Sequence, residues 1–239
     1  MSRLGGFPIA MPSGALVESS TQEFPLGQLA QDPNNGDVYK YVLAGATALV
    51  PGKLYDGAAN ITDHANMTTA AAAIGAVLVT VTPGATAGAA NLYAGGYLVV
   101  NDVTGEGYTY KVKSHPAITA STAFVVTLED SLIVALDATS QCTLVHNQAK
   151  GLIIHPATET GVPIGVAVYA ITALYYGWVK KEGCVALLQD ASTGGIGTSV
   201  AASTTTAGAG TLVVAGLKEI GTMASAGVST EYNACYLSL

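Results

Sequence analysis

Residues 103 to 114 (VTGEGYTYKVKS) have types and spacing that could bind a phosphate group. Gly105 and Gly107 could bring backbone amides to an anion, and Lys111 and Lys113 could neutralise its charge. A phosphate loop leads from a strand into the N-terminus of a helix, whereas the residues after Gly107 alternate between apolar and polar with a period of two. The stretch therefore predicts a turn that enters a half-buried strand, with Gly105 and Gly107 as turn glycines.

The histidines have no spacing that is typical of a metal or catalytic site. No His-x-His, His-Glu-x-x-His or Glu-x-x-His pattern occurs among them. The four are His64, His115, His146 and His155. The adjacent acids Glu129 and Asp130 would point to opposite faces of a strand, which favours a solvated turn over a cation site. We therefore expect no catalytic residue, no metal and no cofactor, and hence no enzyme.

Three aromatic residues in one short stretch, Tyr175, Tyr176 and Trp178, are the candidate binding residues. Such a group can form a face on which a sugar ring stacks. Aromatic side chains more often bury their large area in a core or an interface and leave a polar end in water. The stretch therefore favours an interface or core role, with sugar binding as the alternative.

The elements that would position these residues are short strands. Apolar and β-branched runs recur along the chain and are separated by Gly, Pro, Asn, Asp or Ser at intervals of about 8 to 12 residues, which is typical of all-β folds. We expect an all-β fold, a sandwich or small barrel of many short strands. Residues 62 to 76 (TDHANMTTAAAAIGA) are the one candidate helix, with an Ala-Gly strand edge as the alternative.

The pattern also suggests how the chain is organised. Residues 1 to 35 contain four prolines and predict an extended N-terminal arm. Residues 36 to 239 predict a β-rich structural core, in which residues 62 to 150 could form an inserted lobe.

Low charge is the most informative property of the composition. Charged residues make up 10% of the chain, against about a quarter in an ordinary soluble domain. A chain so poor in charge suits a surface that is covered by other subunits. The net charge of −7, with Arg3 as the one arginine, argues against nucleic acid as a partner.

Neither a disulfide framework nor a membrane span is expected. Cys142, Cys184 and Cys235 are far apart and odd in number, which predicts free thiols. The densest apolar stretch, residues 70 to 81, is shorter than the about 20 residues that a spanning helix needs.

Several short phrases follow one another in an order that resembles a known family. The phrases are Gly165 to Val168 (GVAV), Tyr176 to Val179 (YGWV), Glu182-Gly183, and Val185 to Leu188 (VALL), with Val50 to Tyr55 (VPGKLY) before them and Glu219 to Met223 (EIGTM) after them. They resemble the decoration or cement proteins, and related virion proteins, of tailed bacteriophages. The similarity covers about residues 160 to 239 and, more weakly, 36 to 60, and it consists of strand and turn residues.

The resemblance implies a β-rich virion protein, often trimeric, on the exterior of the capsid. Its partners would be the major capsid protein and further copies of itself, and its role would be to stabilise the shell. The alternative is a tail, fibre or adhesin component that binds surface glycans through residues 175 to 178.

Overall fold

The computed structural model describes residues 8 to 239, which form seventeen strands, one 3-10 turn and no α-helix. The predicted all-β class is confirmed. The chain divides into two compact units. The first, which we call the barrel unit, is the continuous stretch Asn60–Asn147. The second, the two-segment unit, combines Met1–Ala59 with Gln148–Leu239.

The strands are short, with one exception at β13. In chain order they are β1 (Ile9–Ala10), β2 (Leu29–Gln31), β3 (Val38–Ala44), β4 (Leu54–Asp56), β5 (Met67–Thr69), β6 (Leu78–Thr82), β7 (Tyr97–Asp102), β8 (Thr109–Ser114), β9 (Phe124–Leu128), β10 (Gln141–Val145), β11 (Lys150–Ile154), β12 (Pro163–Ala167), β13 (Tyr176–Leu188), β14 (Ser199–Ala202), β15 (Gly210–Leu212), β16 (Glu219–Met223) and β17 (Tyr232–Ser238). The 3-10 turn is Thr62–His64.

The barrel unit is a closed barrel of six strands in the order β10-β5-β6-β9-β8-β7, in which β7 pairs with β10. Each strand alternates between inward and outward residues, as in β8, where Tyr110 and Val112 are buried while Thr109 and Lys113 are exposed. The inward side chains fill the interior, and closure leaves the ring without a free sheet edge.

The turn before β8 has the predicted geometry. Gly105 and Gly107 have φ angles of 82° and 85°, a region in which a Cβ atom is strained. They connect the antiparallel strands β7 and β8, so the phosphate-loop alternative does not apply. The prediction that they are turn glycines is confirmed.

The predicted helix over residues 62 to 76 is wrong. The 3-10 turn occupies its first three residues, β5 follows, and Ala72 forms an isolated bridge with Leu136. Met67 and Thr69 are buried while Thr68 is exposed, which is the period of a strand. The helix propensity of alanine is a few tenths of a kcal/mol per residue, and the pairing of β5 between β6 and β10 outweighs it.

The two-segment unit is an 11-stranded sheet in the order β1-β2-β3-β11-β4-β12-β13-β17-β16-β14-β15, with an additional pairing of β3 with β13. Because of that pairing, β3, β11, β4, β12 and β13 form a closed ring. The beginning of β13 pairs with β3, and its second half, Glu182 to Leu188, pairs with β17. One long strand therefore belongs to both parts of the sheet.

A largely buried ion pair lies where β13 passes from one partner to the other. Lys180 Nζ is 2.5 Å from Asp37 Oδ2 and also donates a hydrogen bond to the carbonyl oxygen of Cys184. Burial alone would lower the pKa of Lys180, but the hydrogen bond to Asp37 and the nearby Tyr39 raise it above its usual value. The ammonium group therefore stays charged. Its hydrogen bond to Cys184 connects the residues before and after Gly183 in β13.

Residues 8 to 35 run along the two-segment unit and contribute β1 and β2, where β1 pairs with β2 in parallel and β2 pairs with β3. Further along this segment, Ser19 forms a bridge with Tyr176. The carboxylate of Glu18 accepts hydrogen bonds from the amide and hydroxyl groups of Thr172.

Candidate interaction surface

The structure places the three predicted aromatic residues at different depths. Trp178 is 2% exposed and lies in a core cluster with Tyr39 and Tyr41. Tyr176, two residues away on the same face of β13, packs against this cluster and stacks on Tyr41 with ring centroids 6.1 Å apart. Tyr175 is also half-buried, but it packs against a different cluster. The group is therefore divided between two sides of the strand.

The N-terminal segment supplies the cover of Trp178. The Phe24 ring lies 5.2 Å from the Trp178 ring, and Tyr41 lies 5.0 Å from it. A hollow of about 280 Å³ remains beside them, and its lining includes Glu18 and Glu23. Trp178 borders this hollow but has only 2% of its surface exposed, so it is a core residue.

A different surface of the two-segment unit has the character of an interface. We call it the tyrosine face, and it comprises Cys184, Ala186 and Leu188 of β13 with Tyr232, Ala234 and Tyr236 of β17. These residues are cross-strand partners: Cys184 lies opposite Tyr236, Ala186 opposite Ala234, and Leu188 opposite Tyr232. Tyr236 and Tyr232 are 59% and 51% exposed.

The tyrosine face departs from the usual pattern of a sheet that is covered on one side. In such a sheet the inward residues are apolar and the outward residues are polar. The inward residues here, such as Val185, Leu187 and Cys235, are buried as expected. The outward residues of the face are also apolar or aromatic and carry no charge, so both sides of the sheet are suited to close contact.

The barrel unit has a second uncharged surface, which we call the barrel patch. It comprises Ile74, Val77, Leu78, Val125 and Ile133, which are between 38% and 68% exposed. Leu78 and Val125 lie on the paired strands β6 and β9, at diagonal positions on the outer side. Ile74 and Ile133 are brought near each other by the backbone hydrogen bond from Gly75 N to Leu132 O.

Sequence reasoning missed both surfaces. For the tyrosine face a signal was present, because Tyr232 and Tyr236 are four residues apart in an alternating run (YNACYLS) and so share a face of the strand. The barrel patch combines two loops with two strands, and no local pattern brings those together.

One buried pair has two members of a catalytic triad but lacks access to solvent. His155 Nδ1 lies 3.0 Å from both carboxylate oxygens of Asp56, and neither side chain has exposed area. The His155 Nε2 atom is buried and has no hydrogen-bond partner. A dissolved substrate cannot reach this pair in the structure. Within residues 8 to 239, no group of three His, Cys, Asp or Glu side chains is arranged to hold a metal ion.

Comparison with protein-family models, with curated protein sequences and with solved structures gave no significant match. In the part of the chain that the structure describes, no helix has both the length and the apolar character to cross a membrane.

Proposed function

We propose that the protein is a structural component of a phage virion, which binds to the outside of the capsid between major capsid protein subunits and stabilises the shell. The observation that carries this proposal is the uncharged, exposed tyrosine face, on which two tyrosines stand among alanine, leucine and cysteine side chains. Tyrosine is enriched in interfaces because its ring buries a large area while its hydroxyl tolerates water.

The rest of the surface supports the same proposal. Nineteen large apolar or aromatic residues among residues 8 to 239 are exposed, while charged residues make up 10% of the whole chain. Exposed apolar patches on a low-charge protein favour association with other subunits. The order of phrases from Gly165 to Met223 resembles decoration proteins of tailed phages. That resemblance would imply the major capsid protein as the partner and a homotrimer as the oligomer.

The mechanism that we propose is mass action. A protein that binds the assembled shell but not its separated subunits lowers the free energy of the closed shell by an amount that depends on affinity and concentration. Many copies act on one shell, so a modest affinity per copy produces a large total effect.

The test is to add the purified protein to heads that lack it, and to measure co-sedimentation and the temperature of shell rupture. We expect the protein to bind and to raise the rupture temperature. Tyr236→Lys should lose binding because it places a charge in the tyrosine face, whereas Tyr97→Lys, at an exposed tyrosine of the barrel unit, is the matched control and should keep it. An unchanged rupture temperature with the wild-type protein would show that it is not a cement protein.

A second candidate, glycan binding by a tail or fibre component, is favoured by one observation. The hollow of about 280 Å³ is lined by Trp178 and Phe24 together with Glu18 and Glu23. Aromatic walls with a few polar groups are typical of small-ligand pockets. A glycan array with the wild-type protein and with Glu23→Gln tests this candidate. Binding that Glu23→Gln abolishes, together with no binding to heads, would favour it over the capsid role.

A further inference from the structure

Three of the four histidines of the chain meet at one tyrosine inside the barrel unit. Tyr93 and His64 have no exposed area, and His115 and His146 are 4% and 5% exposed. His64 ends the 3-10 turn, His115 follows β8, and His146 follows β10. Their ring centroids lie 5.5, 5.8 and 4.5 Å from that of Tyr93, respectively.

The hydrogen bonds of His115 require a neutral ring. Its Nε2 atom lies 3.0 Å from the backbone nitrogen of Tyr93, which can only donate, so Nε2 must accept with its lone pair. Its Nδ1 atom lies 2.7 Å from the carbonyl oxygen of Pro116, which can only accept, so Nδ1 carries the hydrogen. A second proton on this ring would break the bond to Tyr93 and leave a buried amide without that acceptor.

The hydrogen bonds of His64 connect the Tyr93 hydroxyl group with the loop of Thr86. The His64 Nε2 atom lies 3.0 Å from the carbonyl oxygen of Thr86 and donates to it. Its Nδ1 atom lies 2.6 Å from the Tyr93 hydroxyl group. Burial raises the pKa of Tyr93, so the phenol keeps its hydrogen and donates it to Nδ1. Tyr93 is therefore held through its hydroxyl group by His64 and through its backbone amide by His115.

The surroundings offer little compensation for positive charge at these rings. Asp63 is the carboxylate of the 3-10 turn, and its Oδ2 atom already accepts a hydrogen bond from Thr86 Oγ1. The titratable side chains on β7, β8 and β10 divide by depth. Tyr110 and Cys142 lie in the apolar core, Tyr97 and Asp102 are exposed, and Lys111 and Lys113 lie on the outer side, where Lys111 pairs with Glu129.

We propose that His115 and Tyr93 form an acid-sensitive latch, which holds the barrel closed while His115 is neutral and releases it when His115 takes up a proton. A histidine in an opened chain binds a proton near pH 6.5, whereas His115 in the closed barrel binds one only by losing the hydrogen bond from the Tyr93 amide. Below that pH the open form therefore binds more protons, so the stability of the closed barrel falls as the pH falls.

Hydrogen exchange of the full-length protein, measured by mass spectrometry at pH 7.5 and pH 5.0, tests the latch. After correction for intrinsic exchange, we expect protection of residues 84 to 96 and 110 to 118 to fall at least about tenfold at the lower pH. The limit is about 30-fold for the one histidine that the closed form keeps neutral. Equal protection at both pH values would overturn the proposal.

Matched variants separate His115 from other acid effects. In His115→Gln, the side-chain amide can donate and accept hydrogen bonds but takes up no proton at pH 5, so the fall in protection should disappear. His155→Gln, in the two-segment unit, is the control and should retain the fall within the barrel. A folded His115→Gln variant with the wild-type fall would contradict the latch.

A measurement on the wild-type protein covers the case in which His115→Gln does not fold. In proton NMR spectra, the ring resonances of His115 should keep the shifts of neutral imidazole until the barrel signals themselves disappear. Reversible titration of those resonances near pH 6.5, with the folded spectrum intact, would show that the barrel tolerates the charge and would overturn the proposal.

Discussion

Tyr236 of β17 lies directly opposite Cys184 of β13, and both side chains are exposed on the outer side of the sheet. The thiol is therefore a reporter placed at one end of the tyrosine face, beside Tyr236. The other two cysteines are buried in the two different units, Cys142 in the barrel unit and Cys235 in the two-segment unit. This distribution lets one chemical label distinguish the surface from both cores.

We expect one thiol per chain to react with a maleimide in the folded protein near neutral pH. Burial raises the pKa of Cys142 to about 12 and that of Cys235 to about 11, so these thiols lack both access and thiolate character. Intact mass should show a single adduct, at Cys184, in the native protein and three adducts in guanidinium chloride. When the protein is bound to heads, Cys184 should be protected, and equal labelling in both states would place the contact elsewhere.

Trp178 is expected to behave as a core residue. Acrylamide should quench its fluorescence far less in the folded than in the urea-unfolded protein, because Phe24 and Tyr41 cover the ring. Trp178→Ala should lower the free energy of unfolding by about 3 to 5 kcal/mol. Tyr236→Ala, at an exposed ring, is the control and should change it by no more than about 0.5 kcal/mol. Equal quenching of both states would mean that the ring is open to solvent.

Replacing one member of the buried pair of Asp56 and His155 is expected to lower the free energy of unfolding more than replacing both. Asp56→Ala should destabilise the two-segment unit by about 3 to 5 kcal/mol, because it leaves a buried imidazole without its partner. Asp56→Leu together with His155→Phe should be neutral or stabilising by about 1 to 4 kcal/mol, and the lone Nε2 atom of His155 adds to that expectation.

Urea unfolding followed by Trp178 fluorescence measures both changes in the unit that contains the pair. Glu182→Ala, which breaks the exposed pair of Lys181 and Glu182, is the matched control and should have an effect below about 1 kcal/mol. A double variant that is as unstable as Asp56→Ala would show that the pair stabilises the fold on balance.

Asp190 is expected to make the stability of the two-segment unit depend on pH. Burial alone would raise the pKa of Asp190, but hydrogen bonds from Ser192, Ser203 and Thr211 lower it overall. Because its pKa is lower in the folded than in the unfolded chain, ionised Asp190 stabilises the fold. This stabilisation is fully present above the unfolded-state pKa of about 3.9 and is lost as the pH falls through the folded-state pKa. Asp190→Ala should therefore cost about 2 to 3 kcal/mol at pH 7 and less at pH 3.

Urea titrations at pH 7, 5 and 3 provide this comparison. Asp190→Asn keeps an acceptor for Ser203 but carries no charge, so its free energy of unfolding relative to that of Asp190→Ala should not vary with pH. If the difference between the wild type and Asp190→Ala is the same at pH 3 as at pH 7, the carboxylate is not the source of that stability.

The sequence predicted those features that depend on neighbouring residues. The alternation after Gly107 and the glycines before it define both a strand and its turn within ten residues, and the structure has both. The helix prediction from the alanine run at residues 70 to 73 was wrong because the helix propensity of alanine is small. Pairing of β5 with β6 and with β10, which is distant in the sequence, outweighs that propensity.

The features that the sequence could not give depend on closure of the fold. Tyr93, His115 and His146 meet because six strands form a ring, and no spacing along the chain encodes that meeting. The burial of Trp178 depends likewise on Phe24, which arrives from another part of the chain. The residue types at 175 to 178 indicate aromatic side chains that pack, but how deeply each side chain is buried depends on its neighbours in the fold.

The barrel unit is one continuous stretch of the chain, whereas the other unit is made of two segments. This difference has a consequence during synthesis on the ribosome. The barrel unit has all its strands once β10 has emerged, so it can close while the rest of the chain is still being made. Strand β3 is made earlier but must wait for its partner β13, and the second half of β13 must wait for β17. During synthesis the closed barrel unit thus lies, along the nascent chain, between β3 and the ribosomal exit tunnel. At that stage one edge of β3 is unpaired, because β13 has yet to emerge from the tunnel.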